Sequence, residues 1–111
     1  MQVWNSESTA PFTPPGHFGG LEVRDIVGFK NRKFSVQVSK APPGAGGELH
    51  HHDSWAQVFY VVEGELTFDT GQDRFTLRQG ESVLFEPGDP HATMNEGQGE
   101  SVSLVITIDQ G

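Results

Sequence analysis

Glycine and proline recur so often along this chain that few stretches are long enough for three uninterrupted helical turns. The 111 residues include 14 Gly and 7 Pro. Between them lie short runs with alternating apolar and polar positions and many β-branched or aromatic side chains, which is typical of β-strands. The predicted strand segments are 21–27, 33–40, 57–64, 65–70, 74–80, 82–95 and 101–109. Eight or nine short strands at this density predict an all-β sandwich or barrel, jelly rolls included.

The chain length suits one hydrophobic core and is too small for two. Neither an internal repeat nor a linker divides the sequence. We predict a loosely structured arm over residues 1–20 and a single barrel over residues 21–111. The Gly/Pro-rich segment 41–47 is predicted to be a loop.

The charge balance narrows the possible partners. Seven Lys and Arg against 15 Asp and Glu give a formal charge of −8. A surface this acidic repels phosphate backbones and anionic lipids, so we expect no nucleic-acid partner and no membrane partner. The absence of cysteine excludes disulfides, thiolate ligands and thiol nucleophiles. With neither a signal-peptide pattern nor a run of about 20 apolar residues, we expect a cytoplasmic location.

Three consecutive histidines, His50, His51 and His52, form the most unusual short motif. If the segment is a strand, His50 and His52 share one face and His51 points away, toward a strand edge or a subunit contact. Two neutral imidazoles on one face are good donors for a first-row transition metal. The alternative is a short polar loop that carries solvent-exposed histidines.

Two further polar residues lie at the ends of apolar or turn segments. Gln57 begins an apolar strand and shares a face with Phe59, where an unpaired buried amide would cost about 1–3 kcal/mol. His91 follows a Pro-Gly-Asp-Pro turn, and Thr93 and Asn95 lie on the same face of its predicted strand. An inward-facing Gln57 would therefore need a polar partner.

The spacing of these residues resembles the cupins, a family of small jelly-roll barrels also called double-stranded β-helices. The first cupin motif is commonly written G-x5-H-x-H-x4-E-x6-G. Its positions are occupied here by Gly44, His50, His52, Gln57 and Gly64. The departure is Gln57, which stands where the family usually has glutamate.

A second cupin motif, commonly written G-x5-P-x-G-x2-H-x3-N, follows 16 residues after the first. Its positions are occupied by Gly80, Gly88, His91 and Asn95, while Glu86 stands at the proline position and Pro87 comes one place later. Two motifs in register are far more specific than either alone. The resemblance implies a cupin-type jelly-roll barrel over nearly everything after residue 20.

The resemblance also implies one divalent transition metal. The ligands carried over by position are His50, His52, Gln57 and His91. A shell of three histidines and a glutamine carries no negative charge, so the ion would remain a stronger Lewis acid than with glutamate. Imidazole donors suit Mn²⁺, Fe²⁺, Ni²⁺, Co²⁺, Cu²⁺ or Zn²⁺, and the donor set does not choose among them.

The remaining candidates concern the substrate pocket. Strand alternation and proximity to the histidines point to Asp53, Trp55, Phe59, Thr93, Asn95 and Arg24. Asp53 is interpreted either as a general base or as a solvated partner of the histidines. Asn95 is interpreted either as a turn-holding residue or as a substrate contact. Arg24 is the preferred cation for an anionic substrate because it interrupts an apolar strand, and His17 is expected on the surface arm.

Three functions remain open. The first is a mononuclear metalloenzyme with isomerase or lyase chemistry on a sugar acid or carbonyl compound, since the His-His-Gln-His set resembles that of small cupins which linearise unsaturated uronates. The second is a metal-dependent dioxygenase, and the third is a non-catalytic small-ligand-binding or sensor barrel. Both faces of segments 57–64 and 101–109 are apolar, and a barrel has one interior, so we also expect a homodimer.

Overall fold

The computed structural model describes residues 1–30 and 32–111. Within these residues it contains ten β-strands and one short 3₁₀ helix, Ser6–Ser8. The strands are β1 His17–Phe18, β2 Glu22–Val27, β3 Phe34–Ala41, β4 Gly46–His50, β5 Trp55–Glu63, β6 Glu65–Asp69, β7 Arg74–Arg78, β8 Ser82–Phe85, β9 His91–Met94 and β10 Ser101–Asp109. The all-β, jelly-roll fold class predicted from the sequence is confirmed.

The strands form two five-stranded sheets that face each other. One sheet has the order β1-β4-β9-β6-β7 and the other has the order β2-β3-β10-β5-β8. Neighbouring strands are antiparallel throughout. Because strands distant in sequence are neighbours in each sheet, residues from both ends of the chain meet in the space between the sheets.

One strand, β1, and the beginning of another, β4, were not expected from the sequence. β1 lies within the predicted arm, where His17 and Phe18 pair with Gly47 and Gly46 of β4. β4 begins at Gly46, inside the predicted loop 41–47, so the predicted end of that loop at residue 47 is wrong. Its first two residues are glycines, which carry no side-chain alternation that could indicate a strand.

Glycine at position 46 allows β4 and β9 to approach closely. A Cβ atom on Gly46 would overlap the backbone carbonyl oxygen of Thr93 on β9. Gly64 serves a different purpose between β5 and β6, where its φ of 73° is in the left-handed region that favours glycine. These two positions fix the packing of the strands that carry the candidate site.

The apolar core is divided into two clusters. One comprises Leu21, Val23, Ala41 and Ala45. The other comprises Val61, Leu66, Phe68 and Phe85, with further phenylalanine, leucine and valine side chains packed against it. Residues of both clusters border an interior cavity that contains the candidate metal centre. In the described parts of the chain, no helix is long and apolar enough to span a bilayer.

Candidate metal centre

His50, His52 and His91 form a compact group at one end of the cavity. His50 and His91 are register partners across β4 and β9, and His52 lies just after β4. One nitrogen from each ring lies within 4.8 Å of the corresponding nitrogens of the other two. The centroid of the His50 ring lies 4.9 Å from that of the His52 ring and 4.6 Å from that of the His91 ring. The group is therefore able to bind a single metal ion.

The reason for this convergence differs in part from the sequence argument. β4 ends at His50, so His52 is brought to the site by the following loop and not by strand alternation. The His52 carbonyl accepts a hydrogen bond of 2.7 Å from the backbone N–H of Gly88, which holds this loop in place. His51 is exposed and its Nε2 lies 3.2 Å from an oxygen of Asp53, so it points away from the group.

Backbone carbonyls orient two of the imidazole rings. The Nδ1 atom of His50 lies 2.8 Å from the Glu48 carbonyl oxygen, and that of His91 lies 3.4 Å from the Asp89 carbonyl oxygen. A carbonyl oxygen only accepts hydrogen bonds, so Nδ1 carries the hydrogen in each ring. The Nε2 atoms then keep their lone pairs, as metal-binding histidines require.

Two buried polar atoms of cavity-lining residues have no hydrogen-bond partner among the residues that the structure describes. They are Nε2 of His91 and Oε1 of Gln57. The Nε2 group of Gln57 donates a hydrogen bond to Oγ1 of Thr107 at 3.0 Å. This bond fixes the orientation of the amide, whose oxygen is an acceptor. Unpaired buried acceptors are unfavourable, and a cation would satisfy both. The three imidazoles therefore fit a metal ion, and Gln57 lines the same cavity.

Burial keeps His91 neutral. The residue is 1% exposed, and its ring stacks on Phe85 with 4.2 Å between centroids. This burial, together with the nearby His50, lowers the pKa of His91 from 6.5 to about 4. Burial also lowers the pKa of His52, again with a contribution from His50. Both rings are thus in the neutral form that binds metals at neutral pH.

The cavity next to the histidines has a volume of about 400 Å³. Trp55, Phe59 and Thr93 line it, as their sequence positions predicted. Apart from histidines, the lining side chains that the structure describes carry no ionisable group. A metal ion would therefore be the dominant charge in the cavity.

Three predicted pocket residues lie elsewhere. The Asp53 side chain is 94% exposed beside His51. Arg24 alternates with the inward-facing Val23, so it points out of the barrel and donates its Nε to the Thr9 carbonyl oxygen at 3.2 Å. Asn95 is buried, but its amide holds a turn by bonding the Ala41 and Gly99 carbonyls and the Gly97 N–H. The structure thus provides neither the base nor the cation proposed from these positions.

Sequence reasoning missed several residues that line the cavity, among them His17, Ser101 and Ser103. The expectation that His17 lies on a surface arm is wrong, because β1 brings its ring to the cavity, 6.0 Å from the His50 ring. The ring lies over Gly47, where a Cβ would be 2.8 Å from its Cδ2 and Nε2 atoms. Ser101 and Ser103 also line the cavity. In the sequence of β10 these serines alternate with valine and leucine, and this alternation indicates that both serines face the same side of the sheet.

Fold and site together define a small jelly-roll barrel with a three-histidine group able to bind a metal. A family model for the cupin domain, Cupin_2, matches residues 37–108. This chain belongs to the cupin domain family, as the two sequence motifs indicated.

Two curated relatives share part of the sequence. The oxalate-binding protein of Thermotoga maritima is 30% identical over 70 residues, which are 62% of this chain and 57% of that protein. An uncharacterized protein of Methanocaldococcus jannaschii is 26% identical over 69 residues, which are 62% of this chain and 55% of that protein. The matched regions thus span little more than half the length of either relative.

Solved structures share the fold across nearly the whole chain. A Thermotoga maritima protein described as a predicted oxalate decarboxylase has a TM-score of 0.88 at 22% identity, covering 97% of this chain and 99% of that one. The polyketide cyclase RemF of Streptomyces resistomycificus has a TM-score of 0.83 at 17% identity, covering 100% of this chain and 80% of that one. An RmlC-like cupin of Shewanella frigidimarina has a TM-score of 0.78 at 25% identity, covering 100% and 92%.

Proposed function

We propose that this protein binds a small anionic ligand through two adjacent oxygens on a divalent transition metal. The metal ligands would be His50, His52 and His91, with the Gln57 amide oxygen as a fourth. The observation that carries the proposal is the unpaired Nε2 of His91, which is buried within a group of three mutually close imidazoles.

Charge indicates the class of ligand. Three neutral imidazoles and an amide leave a divalent ion with its full charge of +2, and no carboxylate among the described lining residues reduces it. An anion with two adjacent oxygens would neutralise this charge and occupy two coordination positions. Oxalate has this form, and the name of the Thermotoga maritima oxalate-binding protein supports it as the first ligand to test.

Catalysis in the proposed site would be of the isomerase or lyase type. When bound, the metal would act as a Lewis acid that polarises the oxygens of its ligand. His17 is the one titratable residue of the described cavity lining outside the proposed ligand set. Its Nδ1 lies 3.0 Å from the Pro15 carbonyl oxygen, so Nε2 keeps its lone pair and is placed to accept a proton.

Metal analysis and calorimetry test the proposed site. Tag-free protein should contain about one transition-metal ion per chain, and the zinc-loaded protein should bind oxalate in a calorimetric titration. His52→Ala and His91→Ala should lose both properties, because each removes one of three nitrogen donors. His51→Ala is the matched control and should retain both. Equal losses in all three variants would contradict the assigned ligands.

A non-catalytic binding protein is the second candidate. The described cavity lining contains no carboxylic acid, lysine or tyrosine that could assist His17 in acid–base chemistry. Turnover assays separate the two candidates. Loss of the enone absorbance of unsaturated uronates would support the isomerase or lyase, and oxygen uptake with diketones or thiols would support a dioxygenase. Tight oxalate binding with no turnover in either assay would favour the binding protein.

We further propose that the protein forms a cytoplasmic homodimer through the outer face of the sheet that contains β5, β8 and β10. Val58 lies between Leu84 and Ile106 in this sheet, and their side chains share the outer face. Tyr60 and Leu84 are 43% and 53% exposed, and a continuous apolar face of this kind is uncommon on a monomer.

Sedimentation velocity tests the dimer. The mass of the wild-type protein derived from sedimentation should be about twice the chain mass of 12.1 kDa. Leu84→Lys should shift it to the monomer mass, because a charge placed between two apolar faces is not solvated. Arg78→Lys, on the opposite sheet, is the control. A wild-type monomer at micromolar concentrations would contradict this proposal.

A further inference from the structure

Two serine hydroxyls in the cavity have no partner. Ser101 and Ser103 lie two residues apart on the inner face of β10 and are 1% and 2% exposed. Both residues line the cavity, and neither Oγ atom makes a hydrogen bond with any residue that the structure describes. Buried hydroxyls without partners are unfavourable by about 1–3 kcal/mol each. Their placement therefore points to a ligand that reaches this part of the cavity.

These hydroxyls are far from the proposed metal position. Gln57 pairs with Thr107, whereas Val61 pairs with Ser103. Gln57 and Val61 are four residues apart along β5, which corresponds to about 13 Å of strand. Oxalate extends over only about 4 Å from end to end. A ligand of that size at the metal leaves the serines unreached and most of the 400 Å³ cavity unfilled.

The wall around the serines is neutral. Ser103 is the register partner of Ser39, and Ser101 is the partner of Ala41. Val23, on the neighbouring strand, also faces the cavity here. No lysine or arginine appears in the described lining, so nothing at this end would pair with a second carboxylate. Hydroxyl groups, which both donate and accept, match a neutral hydroxyl or carbonyl group.

We infer that the natural ligand is elongated, with an oxygen-chelating head at the metal and a neutral polar group at the far end. The two parts are connected by a chain of about six atoms. The far group bonds Ser103, the nearer of the two hydroxyls, and the largely apolar walls contact the connecting chain. This inference rests on the proposed function, since it assumes that the head occupies the metal.

A matched pair of hydroxamates tests the inference. Hydroxamates chelate transition metals through two oxygens, as the proposed head does. The probes are 6-hydroxyhexanohydroxamic acid and heptanohydroxamic acid, which differ by a hydroxyl in place of a methyl group. The chelating head adds about 3 Å from the metal, the extended six-carbon chain with its hydroxyl about 7.5 Å, and one hydrogen bond about 2.8 Å, which together cover the roughly 13 Å to Ser103. Calorimetric titrations into the zinc-loaded protein give the ratio of their dissociation constants.

The wild-type protein should bind the hydroxylated probe about tenfold more tightly than the alkyl probe. The Ser101→Ala/Ser103→Ala double variant should lose this preference and keep its affinity for oxalate. Alanine removes unpaired hydroxyls, so the variant should fold with unchanged or higher thermal stability. Ser35→Ala, a buried serine of the same sheet outside this cavity, should keep the wild-type preference.

The outcomes separate this inference from the function on which it rests. Equal affinity of the wild-type protein for the two probes would overturn the elongated ligand, while binding of the hydroxamate head would leave the metal site in place. If oxalate and both probes fail to bind the zinc-loaded wild-type protein, the proposed function is overturned together with the inference.

Discussion

Acidification of the metal-free protein provides a direct test of the burial of His91. The pKa of this histidine is lowered from 6.5 to about 4 in the folded protein, chiefly by burial and then by the neighbouring His50. Between these two pH values the unfolded chain binds a proton that the folded protein does not. The free energy of unfolding therefore decreases as the pH falls through this range.

The size of the effect follows from the two pKa values. Each pH unit between them corresponds to about 1.36 kcal/mol. His91 alone should contribute almost nothing at pH 7, lower the free energy of unfolding by about 2 kcal/mol at pH 5, and lower it by about 3 kcal/mol at pH 4. The lowered pKa of His52 acts in the same direction.

Urea unfolding in the presence of EDTA, followed by tryptophan fluorescence at pH 7, 5 and 4, measures this dependence. Carboxylates also titrate near pH 4, so the informative quantity is the difference between variants. His91→Gln should lose about 3 kcal/mol less than the wild-type protein between pH 7 and pH 4. His51→Gln, which changes an exposed histidine, should behave as the wild-type protein does. Parallel losses in His91→Gln and the wild-type protein would refute the reasoning.

Three other predictions concern single residues. Gln57→Glu should retain or tighten metal binding, because it adds a carboxylate. It should also weaken oxalate binding about tenfold or more, because it lowers the net charge at the ion. Calorimetry measures both affinities, and loss of the metal would contradict Gln57 as a ligand. Asn95→Ala should lower the free energy of unfolding, measured in urea, by about 3 kcal/mol, since it breaks one buried and two partly buried hydrogen bonds. Gly46→Ala should destabilise by about 3 kcal/mol or more in urea unfolding, because its Cβ overlaps Thr93. Gly28→Ala, where no atom of a described residue lies within 4 Å of a new Cβ, is the control and should change stability by less than about 0.5 kcal/mol.

The strands and the cupin motifs could be predicted from sequence because both depend on short-range patterns. A strand appears as alternation over a few residues, and a turn appears as glycine or proline at a particular position. Gly64 and Gly88 both adopt positive φ angles in turns, at positions where the motifs require glycine. The three histidines were found in the same way, by their spacing relative to these turns.

Local patterns also produced errors. Arg24 was chosen because it interrupts an apolar strand, yet alternation with Val23 places it outside the barrel. Asp53 was chosen for its proximity to the histidines, yet it lies in solvent beside His51. In both cases the residue type suggested chemistry, and the direction of the side chain depended on how the strand or loop met its neighbours.

By itself, the sequence determined that this chain is a β-barrel of the cupin family and that three of its histidines are candidate ligands. Only the tertiary structure decided what else borders the cavity. His17 reaches it through pairing with Gly47, and Ser103 lies opposite Ser39 through pairing of β10 with β3. Such pairings join segments far apart in the chain, and their register depends on the packing of both sheets together. No short window of sequence contains that information.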